Sequence, residues 1–220
     1  MSHPVTTGEP LRVRVSRSEP DARREFAVSR RGLRVVLDVL AAVERLDPSL
    51  GYRYSCRSGF CGTCTVVMDG RPGLACQTTL EPTARRITIA PLGGFPVVRD
   101  LVVDQAPFAE RWLAAWPVAE RPAIVASEHL DCIACGACTA ACDAWTSDRP
   151  FVGPAALTRM FVVLANAGEA DRDRTPRIDG PAGHEGCHGI GACTLACPKG
   201  LDPSRAIRRL RRRVLVGTRA

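Results

Sequence analysis

Lysine is almost missing from this chain. Of its 30 basic residues only Lys199 is lysine, a bias of codon usage rather than the mark of a selected basic patch. The formal net charge of +7 would otherwise suit a nucleic-acid binder. Long apolar runs are missing too. No stretch of about 18 hydrophobic residues occurs, which excludes a membrane-spanning helix. The opening Met1-Ser2-His3-Pro4-Val5-Thr6-Thr7 has neither a charged n-region nor an apolar h-region, so no secretory leader is expected. A cytoplasmic chain is the expectation. Disulfides are rare in that compartment, so cysteines there are better read as metal ligands.

Nor is any cysteine left over. All eleven fall into three spacing groups. The first is Cys56-x4-Cys61-x2-Cys64-x11-Cys76. The second is Cys132-x2-Cys135-x2-Cys138-x3-Cys142. The third is Cys187-x5-Cys193-x3-Cys197, followed by Pro198. The first spacing is that of plant-type 2Fe–2S ligands, and the second is the bacterial ferredoxin run. Structural zinc uses paired C-x2-C and gives no account of the x4, x5 and x3 gaps. A disulfide framework favours an even count and a secreted chain. The pattern points to electron transfer.

Bound clusters also change the charge. Eleven thiolates and three oxidised cores bring the net charge from +7 to about +1. Bulk charge then makes no case for nucleic acid.

In two-cluster ferredoxins the last cysteine of each run serves the other cluster. The same crossing assigns Cys132, Cys135, Cys138 and Cys197 to a 4Fe–4S cluster, and Cys142, Cys187 and Cys193 to a second one. In the third group, read as a second such run, Ile190 stands where the middle cysteine belongs. An apolar side chain cannot hold iron, so one corner should be vacant and the cluster should be 3Fe–4S. Gly59, Gly62, Gly136 and Gly191 lie beside ligands. They suit both tight turns and amides aimed at sulfur. The hydroxyls of Ser55, Ser58 and Thr63 could donate to the first cluster or simply face water.

The 220 residues fit two domains better than one. Leu11-Arg12-Val13-Arg14-Val15 alternates as a strand, and Glu25 to Ser29 does so more weakly. Leu33, Val36, Leu37, Leu40 and Val43 recur at helical spacing. Val66-Val67-Met68 runs into Asp69-Gly70, a hairpin signal. Arg86-Ile87-Thr88-Ile89 reads as a further strand. Beyond Gly94, Phe108 to Trp116 and Ala155 to Ala167 read as helices, Gly168 to Gly186 as loop. The arginine-rich tail from Arg205 to Val214 has Ile207, Leu210 and Val214 at helical spacing. The expected fold is α+β. A β-grasp plant-type ferredoxin domain over residues 1–105 precedes a mainly helical two-cluster bacterial ferredoxin-like domain over residues 106–220.

The chain resembles the iron–sulfur subunit of succinate dehydrogenase and fumarate reductase. The likeness lies in Ser55 to Cys64, Gly73-Leu74-Ala75-Cys76, Phe95 to Asp104, Cys132 to Cys138, and Cys187-His188 through Cys193 to Pro203. It spans residue 11 to about residue 205, and the short gap before Cys76 sets the chain apart from plant ferredoxins. The resemblance implies that electrons leave the FAD of a flavoprotein subunit and pass through 2Fe–2S, 4Fe–4S and 3Fe–4S clusters. They end on a quinone held against membrane-anchor subunits. It further implies a peripheral place on the cytoplasmic face of the bacterial inner membrane, in the respiratory chain and the tricarboxylic acid cycle. His188 matches the histidine near the 3Fe–4S cluster and quinone, though a solvent-facing loop histidine is an equal reading. Asp143 stands where the family usually has proline. Trp145 is a candidate quinone contact in a shifted register, or a packing tryptophan. Two rival readings remain: the same subunit working in the fumarate-reducing direction, and a stand-alone ferredoxin-like carrier. A nucleic-acid binder using the arginine tail is a more remote one.

Overall fold

The computed structural model describes residues 9–18, 23–115, 129–166 and 180–217. They form two compact units. Residues up to Leu92, with Val97–Val103, make one; Gly93–Pro96 and the residues from Asp104 onward make the other.

The first unit is built on a five-stranded sheet. Its strands are β1 (Leu11–Ser16), β2 (Arg23–Val28), β3 (Thr65–Met68), β4 (Arg71–Leu74) and β5 (Arg86–Ala90). The order across the sheet is β2-β1-β5-β3-β4. β1 runs parallel to β5 and antiparallel to β2, and β3 runs antiparallel to both neighbours. The alternation of β1 sends Leu11, Val13 and Val15 inward, where each is fully buried. Helix α1 (Val36–Leu46) buries Val36, Val39, Leu40 and Val43. A buried leucine such as Leu40 contributes on the order of 2–5 kcal/mol over alanine. This helix on a mixed sheet is the expected β-grasp.

Leu33 carries the helical spacing but stays outside the helix. The Asp38 carboxylate accepts the N–H groups of Arg34 and Val35 at 2.9 and 3.0 Å. That fixes the first turn at Val36, because a carboxylate two residues in satisfies amides the helix leaves open. The Asp69-Gly70 turn has φ +46° and +81°, the two left-handed residues that a tight hairpin between β3 and β4 requires.

Val97–Arg99 (β6) and Val102–Val103 (β7) form a short hairpin. Its corner residue, Asp100, has φ +50° and is 3% exposed. Its carboxylate accepts from the N–H and hydroxyl of Ser18 at 3.0 and 3.1 Å and from Gly51 N–H at 2.7 Å. It also pairs with Arg17 Nε at 3.3 Å. Gly51 begins the segment leading to Cys56, so this carboxylate ties the cysteine loop's approach to the hairpin.

Among the described residues the second unit is mainly helical: α2 (Ala106–Ala114), α3 (Ala137–Ala140), α4 (Pro154–Asn166), α5 (Ala192–Leu195) and α6 (Pro203–Gly217), with a 3-10 turn at His184–Gly186. α4 packs on both α2 and α6. Trp116, and most of the loop expected from Gly168, lie outside the described residues. Trp145 is the centre of the core. Its ring lies 4.6 Å from Phe95, and an added Cβ at Gly153 would come within 2.8 Å of it. The Arg111 guanidinium stands 5.4 Å from the indole and donates to the carbonyls of Thr146, Ser147 and Phe151.

Candidate iron–sulfur cluster sites

The loop between α1 and β3 wraps its own first cysteine. N–H groups of Ser58, Phe60 and Cys61 point at Cys56 Sγ at 3.5, 3.4 and 3.3 Å. Arg57, Gly59 and Gly62 all have φ between +58° and +77°, the left-handed turns that bring successive amides to one side. Those amides, Ser58 N–H first, with the Cys61 thiol, lower the Cys56 pKa to about 6. An anionic sulfur is thus favoured before any metal arrives. Cys61 is exposed like Cys56, whereas Cys64 and Cys76 are buried. Burial pushes Cys64 up to about 11, and the neighbouring Cys76 and Cys61 oppose its ionisation further. The side-chain amide of Gln77 reaches Cys76 Sγ at 3.6 Å. Donors to sulfur in this loop are therefore chiefly backbone N–H groups. Ser58 takes part through its main chain, where the sequence suggested its hydroxyl.

The remaining seven cysteines sort into two groups. One cavity is lined by Cys132, Cys135, Cys138 and Cys197. A second, of about 90 Å³, is lined by Cys142, Cys187, Cys193, Ile190 and His188. Burial raises every thiol whose shift is resolved here, Cys135 and Cys193 to about 11. Neighbouring thiols add to it along the same division. Cys132 feels Cys197, Cys135 feels Cys132 and Cys197, and Cys193 feels Cys142 and Cys187. Cys138 feels Cys135 and Cys132 and also Cys193 of the other group.

Two near-identical turns build these groups. Gly136 (φ +77°, ψ −5°) precedes α3, and Gly191 (φ +82°, ψ 3°) precedes α5. Thr139 N–H bonds to Gly136 C=O at 3.1 Å, and Thr194 N–H to Gly191 C=O at 3.0 Å. The residues are Cys135-Gly-Ala-Cys-Thr in one and Ile190-Gly-Ala-Cys-Thr in the other. Ile190 thus occupies the backbone place of Cys135, with its side chain 68% exposed. This internal repeat was present in the sequence, beyond the cysteine spacing alone.

Among the described residues no three His, Cys, Asp or Glu side chains close around one ion position. Cluster ligands need not, since in a cubane core each thiolate takes a different iron and in a 2Fe–2S core no iron takes more than two. The donor set fits such a core: buried thiols crowded together resist joint ionisation, and a cationic iron–sulfur core offsets that repulsion.

His188 lies exposed beside the second cavity, its Nδ1 3.1 Å from Asp143 Oδ2. Both side chains are more than half exposed, so the pair contributes little to stability. Trp145, 2% exposed, packs inside the unit. Of the two quinone candidates, only His188 is open to a ligand. Sequence reasoning did not find Arg211, on α6. Its guanidinium donates to the carbonyls of His184 and Cys187 at 2.7 and 2.6 Å. It sits among five other arginines of a basic tail, and nothing in the sequence singles it out.

Residues 12–110 match the 2Fe-2S iron-sulfur cluster binding domain family, and residues 128–201 the 4Fe-4S dicluster domain family. The fumarate reductase iron-sulfur subunit of Haemophilus influenzae is 34% identical, over 78% of this chain and 78% of its own. The succinate dehydrogenase iron-sulfur subunit of Paracoccus denitrificans is 35% identical, over 79% of this chain and 73% of its own. The fold is similar to that of a chain in the Mycobacterium smegmatis Sdh1 complex in the apo form. The TM-score is 0.78 at 23% identity, with 96% of this chain and 98% of that one covered. With these relatives and both cluster-binding domains, the chain belongs to the electron-transferring iron–sulfur subunits of succinate dehydrogenase and fumarate reductase.

Proposed function

We propose that the chain works in the succinate-oxidising direction, receiving electrons from a partner flavoprotein's FAD and delivering them to a quinone at a membrane-anchor subunit. The domain over residues 1–105 would hold a 2Fe–2S cluster on Cys56, Cys61, Cys64 and Cys76. The domain over residues 106–220 would hold 4Fe–4S on Cys132, Cys135, Cys138 and Cys197, and 3Fe–4S on Cys142, Cys187 and Cys193. When bound, the clusters carry one electron at a time, so no side chain need form or break a bond. The protein's part is to fix the ligands, aim amides at sulfur as the Cys56 loop does, and keep water from the buried thiols.

The observation that carries the cluster part of this reading is the division of seven thiols into two cavities, with Ile190 at the place of a fourth ligand in one. Electron entry and exit then fall to the two partners, and His188 is the residue placed to meet the quinone. Among the described residues no helix is long and apolar enough to cross a membrane, which agrees with a peripheral subunit held by an anchor. We place it on the cytoplasmic face of the inner membrane.

Purifying the native complex tests this. Co-purification with an FAD-bearing subunit and a membrane subunit is expected, with EPR signals of all three cluster types and succinate:quinone activity. A soluble protein stable without a flavoprotein would favour the stand-alone carrier. Faster fumarate reduction than succinate oxidation at the physiological quinone potential would favour the reverse direction.

A further inference from the structure

Arg159 and Trp112 make a pair that the cluster reading does not use. The Arg159 guanidinium carbon lies 3.4 Å from the centre of the Trp112 ring, a close stack even for a cation on tryptophan. Trp112 belongs to α2 and Arg159 to α4, two helices packed together. α4 presents Ala155 and Thr158 to the cavity lined by Cys132, Cys135, Cys138 and Cys197. Arg159 follows Thr158 and lies one turn on from Ala155, so it shares that side of the helix. Arg159 lies within electrostatic reach of the Cys132 thiol. Burial lowers the pKa of Arg159, yet a guanidinium keeps its proton inside proteins. A flexible cation at the surface would be hydrated and screened. One laid on an indole is held at a fixed place.

We propose that Arg159, braced on Trp112, is a fixed positive charge that raises the reduction potential of the cluster held by Cys132, Cys135, Cys138 and Cys197. The inference rests on the ligand assignment proposed above. Reduction adds one electron, taken from the 2Fe–2S carrier and later passed to the 3Fe–4S carrier, and no proton or other reactant is consumed. The reduced state is one unit more negative, so a nearby cation in a partly desolvated setting favours it. Stacking keeps that cation from swinging to solvent.

EPR-monitored redox titration of the purified complex tests the proposal with Arg159→Gln, Arg159→Lys and Trp112→Leu. In the glutamine variant the reduced-to-oxidised ratio of this cluster should fall about tenfold at fixed potential, about 59 mV for a one-electron couple. The other two clusters should titrate as in the wild type. Arg159→Lys should restore most of the potential, and Trp112→Leu, which frees the charge without removing it, should fall between. An unchanged potential in the glutamine variant overturns the proposal. So does loss of the cluster from the Gln and Lys variants alike, which would mark Arg159 as structural. Should only the glutamine variant lose its cluster, equal potentials in Arg159→Lys, Trp112→Leu and the wild type overturn it. Absence of a four-iron signal from the wild-type complex would instead overturn the ligand assignment.

Discussion

Arg211 grips the carbonyl of Cys187 at 2.6 Å from another helix. With its bonds to His184, one planar fork spans two carbonyls at the start of the third cysteine group. A lysine ammonium offers three rotatable donors in place of this rigid fork, so it would hold the two carbonyls less firmly. Arg211→Ala should cost about 1.5–3 kcal/mol and lower the occupancy of the cluster proposed for Cys142, Cys187 and Cys193. Arg211→Lys should lie between. Thermal unfolding and spin quantitation of that centre check this, and wild-type values for the alanine variant would sink it.

The oxidised protein should show the EPR signal of a three-iron centre. Ile190→Cys places a thiol at the backbone position that Cys135 occupies in the other turn. It should replace that signal with a second four-iron cluster. A wild-type protein already holding two four-iron clusters contradicts the role given to Ile190.

Asp100 makes the first unit acid-sensitive. Burial alone would raise its pKa, but the N–H groups of Gly51 and Ser18, the Ser18 hydroxyl and Arg17 outweigh that and hold it below the ordinary carboxylate value. A depressed folded pKa means stability that is complete above the unfolded value of about 3.9 and lost as pH falls through the lower folded value. Asp100→Asn keeps an acceptor and tolerates the positive φ. It should cost about 1–3 kcal/mol near neutral pH and flatten the loss of stability below about pH 4. Denaturant unfolding against pH shows whether wild type and variant converge in acid. Parallel curves would remove Asp100 as the cause.

The outward side of α6 carries exposed Arg208, Arg209 and Arg212. Near an anionic membrane each basic residue contributes about 1 kcal/mol. Replacing all three by glutamine should loosen membrane association at raised salt while all three clusters stay intact. Equal retention across a salt series would leave the helix as a solvated face. Arg211 belongs outside that set, because its guanidinium is occupied.

The grouping of the cysteines was legible because their spacing is a distance code along the chain. Strands β1 and β5 were legible because alternation matched one buried face. The start of α1 was not: Leu33 fits the periodicity, yet the Asp38 carboxylate overrides it. Hairpin β6–β7 was missed, since its strands are very short and its corner is aspartate rather than glycine. The burial of Trp145 was left open because a lone tryptophan reads alike as core or contact. The Arg159–Trp112 stack joins residues 47 positions apart, and no local pattern announces such a pair.

The proposed crossing of ligands between the two runs has a consequence for synthesis. Cys76 leaves the ribosome with its whole group already made. Cys138, however, must wait for Cys197, which follows it by 59 residues. At 5–20 residues per second that is a delay of about 3–12 s. Throughout that interval Cys132, Cys135 and Cys138 offer three thiols without the fourth. Under this assignment the first cluster can be inserted while the chain is still growing. The four-iron cluster can be completed only once translation has passed Cys197, and a truncation just before that residue would strand the centre rather than merely shorten the tail.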